Sequence, residues 1–316
     1  MVAFVTRRLL FAVGTVLAAS VISFLLVHAS PGSPGAVVAG VGASKAQIAA
    51  ENHALGWDRP LAAQFWTWFS DAVRGNLGTS LINGQNIKAD LFNRLPVTAS
   101  IALYATLLSG VAGVLLGVTA AVRGGRLDRA ISLASGVGLS LPTFWVGIAA
   151  VYLISIRAHL LPATGFVAFD VSPAGYVKTL ALPVLALAVA GSAIIARTAR
   201  TGMVTARRQE HIRTLQAIGT PPWRIRYIHA LRFASVPVVS VLGVQFIALF
   251  GSSIIIEQLF TMPGLGQATQ LAIGSHDFPA IQGVVVIATV VVVLVNLVLD
   301  LAVAALDPKL RAGNTA

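Results

Sequence analysis

Six strongly apolar stretches of this chain carry no Lys, Arg, Asp or Glu over a length that can cross a bilayer. They lie between Arg8 and Lys45, Arg94 and Arg123, Arg129 and Arg157, Lys178 and Arg197, Arg232 and Glu257, and Asp277 and Asp300. A helix rises about 1.5 Å per residue, so roughly 17 to 25 residues cross about 30 Å of hydrocarbon. Inside that hydrocarbon no water is available to the backbone, and each stretch must be a helix that pairs its own N–H and C=O groups. Only 10% of the chain is charged, against about 25% in soluble domains, while 56% is hydrophobic. These facts predict an all-α polytopic membrane protein with six transmembrane helices.

The first stretch, Arg7-Arg8 followed by an apolar run to His28-Ala29-Ser30, has the outline of a secretory signal. Its apolar run from Leu9 to Ala29 is long for a signal core, so a retained first span over residues 1–29 is expected. Residues 30–96 are less hydrophobic and read as a small extracytoplasmic lobe. Within it Leu61, Phe65, Trp68 and Phe69 follow the spacing of an amphipathic helix. Residues 97–305 hold spans two to six, at about 97–122, 131–156, 180–196, 236–256 and 281–305, and residues 306–316 form a tail. Pro142 and Pro183 predict kinks in spans three and four, and Gly110, Gly113 and Gly117 give span two a small-residue face for close helix contact.

Charge sets the orientation. With the N-terminus inside and six alternating spans, 15 Lys and Arg fall inside and seven outside. Inside carboxylates are Asp128, Glu210 and Asp307. The positive-inside rule therefore places both termini in the cytosol, and it accounts for the net charge of +11 without nucleic acid.

Eight of the 22 basic residues lie in 197–232, between spans four and five. This cytosolic loop reads as two short helices. Ile212, Leu215 and Ile218 mark the apolar positions of the first, which Gly219 stops. Thr220 is expected to cap the second, with Pro221 at its first position, and Trp223, Tyr227 and Leu231 recur along one face. The result is a candidate docking knob for a soluble partner. The competing reading of Trp223 is an anchor among lipid headgroups.

Polar residues inside the spans are few. Gln245, Ser252 and Ser253 in span five, with Asn296 and Asp300 in span six, either line a pathway or bond between helices; both readings stand. No span holds an ionisable residue near its middle, which disfavours ion-driven transport. No Lys follows a Gly, so there is no phosphate-binding P-loop, and there is no H-E-x-x-H. With no cysteine, thiol catalysis, disulfides and cysteine-ligated metals are excluded. Neither catalytic residues nor a metal site is expected.

Over nearly its whole length the chain resembles the permease subunits of bacterial dipeptide and oligopeptide ABC importers. The resemblance is carried by Arg7-Arg8-Leu9-Leu10, Pro31-Gly32-Ser33-Pro34, Leu55-Gly56-Trp57-Asp58-Arg59-Pro60, Gly75-Asn76-Leu77-Gly78-Thr79-Ser80-Leu81, Leu139-Ser140-Leu141-Pro142-Thr143-Phe144-Trp145, Ala196-Arg197-Thr198-Ala199-Arg200, Met262-Pro263-Gly264-Leu265-Gly266 and Asp307-Pro308-Lys309-Leu310-Arg311. It implies the type I importer permease fold, a place in the bacterial cytoplasmic membrane and no enzymatic activity of the chain itself. It also implies a second homologous permease, an extracytoplasmic substrate-binding protein, surrounding lipid, and two ABC ATPase subunits, separate or fused, which bind the ATP and Mg.

In that family the loop between spans four and five carries the EAA coupling motif. Here Arg213-Thr214-Leu215 stands where the motif has Glu-Ala-Ala, and Ser33 stands where Asp is common. The resemblance assigns ATPase coupling to Ile212, Arg213, Leu215, Gln216, Gly219, Thr220, Pro221, Trp223 and Arg224. It assigns binding-protein contact to Met262, Pro263, Gly264, Leu265 and Gly266, on a turn expected to expose a short following helix. Peptide is the implied cargo, with nickel, glycan or haem-like ligands as alternatives within the class. An ion-driven carrier and a passive channel are the rivals outside it.

Overall fold

A computed structural model describes the backbone of residues 2–306 and the side chains of residues 6–299 and 301. The match at Asp307 to Arg311, the tail and the Asp300 side chain lie outside the described residues. The chain runs through α1 (Val2–Ala29), α2 (Pro34–Ala39), α3 (Lys45–Ala54), α4 (Leu61–Val73), α5 (Ile87–Arg123), α6 (Gly125–Ser140) and α7 (Thr143–Ala150). A π-helical turn, Val151–Arg157, extends α7, and α8 (Pro173–Ala206) and α9 (Glu210–Ala217) follow. Next come α10 (Pro222–Arg224), a second π-helical turn at Ile225–Ala230, α11 (Leu231–Leu259), α12 (Leu265–Gly274) and α13 (Phe278–Leu306). Among the described residues, five helical segments are long and apolar enough to cross a membrane. A sixth candidate is the pair α6 and α7, which meet at 101°.

That break has a local cause. Leu141 is extended (φ −82°, ψ 126°), as the ring of a following proline demands, and Pro142 has no N–H to continue the ladder. Pro183 breaks nothing: α8 runs through it from Pro173 to Ala206. Helices also run past the ends expected from charge. Asp90 and Arg94 lie inside α5, where Arg94 Nε is 2.9 Å from both carboxylate oxygens one turn away. Residues 197–206 belong to α8, so the loop that follows is shorter than 197–232.

The contacts group the chain into two compact units. One holds the chain up to Val97 with Pro263–Val295. In it Ser33 caps α2 and the Ser44/Gln47 capping box starts α3. Helix α4 forms as its spacing predicts, and Phe65 and Trp68 set their rings 5.3 and 6.4 Å from Phe24 of α1. A column of rings continues from there: Phe24 to His28 at 4.1 Å, His28 to Trp57 at 3.9 Å, Trp57 to Phe278 at 5.5 Å. It clasps the segment between α3 and α4 against α1 and α13. Next to it, a hydrogen bond from His53 holds the exposed Asp58 carboxyl below the usual carboxylate range.

The other unit holds Thr98–Met262 and the chain from Asn296. Here α8 is the central helix, packed against α6, α7 and α11. Glycines let the helices approach. A Cβ on Gly117 would sit 2.3 Å from the Ala196 carbonyl oxygen, one on Gly113 2.5 Å from Ile195 Cβ, and one on Gly202 2.9 Å from Ala234 Cβ.

Candidate functional site

Helix α8 ends at Ala206, the chain turns through Arg207, Arg208 and Gln209, and α9 begins at Glu210, an acidic residue where the helix dipole favours one. One side of α9 is fixed by burial: Ile212 is fully buried and Leu215 half-buried, and α9 packs against the π-helical turn, whose Ile225 and Ala230 are also buried. Gly219 then ends the helix in a left-handed conformation, φ +77°. Its N–H bonds to the Gln216 carbonyl at 3.1 Å and the Thr220 N–H to the Leu215 carbonyl at 3.0 Å, the two bonds of a Schellman motif. No atom crowds Gly219, so glycine is required there by backbone conformation and not by space.

The next helix starts one residue later than expected. Pro221, not Thr220, is the cap, with extended backbone (φ −57°, ψ 138°) and no side-chain cap bond, and Pro222 is the first helical residue. Two consecutive prolines explain the shift: the ring of Pro222 disfavours helical geometry at Pro221. Either side of the Gly219 turn carries exposed apolar groups, Ile218 (72%) and Trp223 (60%), with Tyr227 beyond them. Arg213, Gln216, Pro221 and Arg224 are exposed around them. Large apolar side chains displayed among arginines form a surface of the kind that partners cover.

The remaining predicted residues separate. Gln245 is buried, its Nε2 3.3 Å from where a Cβ on Gly191 would lie, and Ser253 is buried and donates to the Phe250 carbonyl at 2.7 Å. Both side chains are thus buried within the chain, whereas Ser252 and Asn296 stay half-exposed. In the turn before α12, Met262 and Gly264 are buried and Pro263 is exposed, and Leu265 and Gly266, which begin α12, are buried as well. The helix after that turn is present as expected, but its first turn faces inward.

Sequence reasoning missed two features. Glu257, at the edge of a charge-free run, is a fully buried part of α11. Asp128, set among Arg126 and Arg129, pairs with neither of them but with Arg200, 72 residues away: Nε to Oδ1 is 2.5 Å and Nη2 to Oδ2 is 2.7 Å. Only the sparsity of acidic residues on the basic side signalled that Asp128 had a task.

Comparison with known proteins defines the class. The family model "Binding-protein-dependent transport system inner membrane component" matches residues 113–312, and its N-terminal companion model matches residues 1–102. This chain belongs to that family of inner-membrane permeases. Its relatives include the "Probable peptide ABC transporter permease protein y4tP" of Sinorhizobium fredii, 36% identical over 98% of this chain and 99% of the relative. They also include the "Di/tripeptide transport system permease protein DppB" of Pseudomonas aeruginosa, 33% identical, and the "Glutathione transport system permease protein GsiC" of Escherichia coli, 32% identical, each with the same coverage. Among solved structures, the MetNI methionine ABC transporter in an inward-facing form has a similar fold. The TM-score is 0.56, at 18% identity over 69% of this chain and 96% of the other.

Proposed function

We propose that this chain is one of two membrane-spanning subunits of an ATP-driven importer of di- or oligopeptides, with both termini in the cytosol. The observation that carries the coupling role is the loop at Gly219: a buried inner side of Ile212 and Ile225 supports an outer side that displays Ile218 and Trp223. That surface suits a groove on an ATPase subunit, which would hold ATP and Mg. A peptide cargo is supported by relatives whose names specify peptides, a di/tripeptide and glutathione. Closure of two ATPase subunits on ATP would draw paired loops together and turn the cavity between two permeases outward, where a binding protein releases cargo. Ser252 and Asn296 are the pathway candidates, and Pro263 is the exposed member of the binding-protein contact.

The test is reconstitution in liposomes. Uptake of a labelled peptide should require this chain, its partner permease, the ATPase subunits, the binding protein and ATP together. Uptake by this chain alone, driven by an ion gradient or by diffusion, would overturn the assignment in favour of a carrier or a channel.

A further inference from the structure

Helix α6 is held in a way that suits a lever. Its cytosolic end starts from two successive left-handed glycines, Gly124 (φ +63°) and Gly125 (φ +61°), with no atom near enough to crowd a side chain at either. Its other end is the 101° break at Leu141 and Pro142. Along its length it faces α5 and α8 across an apolar groove of about 550 Å³, lined by Leu108, Leu116, Ile131 and Leu185 together with small residues such as Ala134 and Ala188. Gly138 approaches α8 only at ordinary contact distance, 3.6 Å from Ala193 and Val189 for an added Cβ.

The cytosolic end of α6 is tied to α8 by one fork, the Asp128 carboxylate on the Arg200 guanidinium. Asp128 sits in the first turn of α6, where a negative charge is favoured. Arg200 lies six residues before the end of α8, roughly 9 Å along the helix. Both are partly shielded from water, with side-chain exposures of 21% and 38%, and two parallel N–H bonds fix direction as well as distance. Arg126 and Arg129 are exposed and leave Asp128 to Arg200. Beside the packing of α6 on α8, this pair gives a displacement of the loop that follows α8 a directional route to the start of α6.

We infer that Asp128 and Arg200 are positioning residues for transport, the link by which movement of the loop is passed to the broken span formed by α6 and α7. The inference rests on the coupling reading of that loop. The assembled transporter, reconstituted with its ATPase subunits, tests it with Asp128→Asn and Arg200→Gln. Each should keep the ATPase subunits bound and basal ATP hydrolysis intact, while stimulation by the peptide-loaded binding protein falls about tenfold. The exchange Asp128→Arg with Arg200→Asp should restore stimulation. A second route uses the absence of native cysteine: the pair Asp128→Cys and Arg200→Cys, joined by a flexible thiol-reactive linker, should recover stimulation that the unlinked pair lacks. Single variants with undiminished stimulation would overturn the link. So would an exchanged pair and a linked pair both as impaired as the singles. Loss of the ATPase subunits from the unaltered complex would instead reject the docking reading.

Discussion

The carboxylate of Asp277 accepts a hydrogen bond from the hydroxyl of Ser80, 197 residues earlier in the chain. The same carboxylate accepts from the Leu81 N–H at 3.3 Å and from the Ala280 N–H at 3.4 Å, so it caps α13 and pins the hairpin that closes through Thr79 and Asn86. Asp277 is almost fully buried. Asp277→Ala is expected to lower stability by about 1–3 kcal/mol, because it leaves partly buried donors unpaired and removes a helix cap. Ser80→Ala should cost less, since two of the three donors keep their acceptor. Thermal midpoints of the purified chain in detergent compare the two, and equal losses would contradict this division of roles.

The glycine face of α5 is graded by what lies opposite. Gly117→Ala drives a methyl group into the backbone of α8 and should cost about 1–3 kcal/mol through forced separation of the helices. Gly110→Ala meets only the flexible end of Leu242, at 3.2 Å. Its change should stay within about 0.5 kcal/mol, helped by the better helix propensity of alanine. The same thermal assay ranks them; a Gly110 variant as unstable as the Gly117 variant would show that space does not set the order.

At the loop, conformation and contact can be separated. Gly219→Val should cost about 1–3 kcal/mol because a β-branched residue resists positive φ, and Gly219→Asn should be milder, since asparagine accepts that region. Trp223→Ala leaves the fold unchanged but removes an exposed aromatic anchor, and about 2 kcal/mol or more of ATPase binding should go with it. Co-purification of the ATPase subunits, with membrane levels of the chain as the control, measures both. If Trp223 anchors in lipid instead, ATPase retention will be normal in Trp223→Ala.

Orientation is tested by labelling. Single cysteines placed in this cysteine-free chain at Gln85 and at Thr205, both exposed, should react differently with a membrane-impermeant maleimide. Gln85→Cys should label in intact cells and Thr205→Cys only after lysis. Labelling of Thr205→Cys from outside would reverse the proposed topology.

The helical architecture was legible because charge-free length is a direct consequence of bilayer thickness. Helix ends were less so: counting stops at a charge, yet Arg94 continues inside α5 by pairing with Asp90, and Arg200 continues inside α8 by pairing with Asp128. Within the loop, Gly219 was readable from backbone preference alone, while the cap moved by one residue because Pro221 and Pro222 act on each other. The inward placement of Met262 and the Ser80 to Asp277 tie were not readable, since each depends on partners that local spacing does not encode.

The break between α6 and α7 bears on how the chain is made. Its first half has 16 residues, and its second half has eight, extended by a π-helical turn of seven. Neither half alone has the roughly 17 to 25 residues that bridge the hydrocarbon, and the backbone freed at Leu141 and Pro142 cannot face lipid unpaired. Both halves pack on α8, and α7 also packs on α11, elements that leave the ribosome later. The third span is thus unfinished when it is first synthesised, and its completion falls to the helices that follow it.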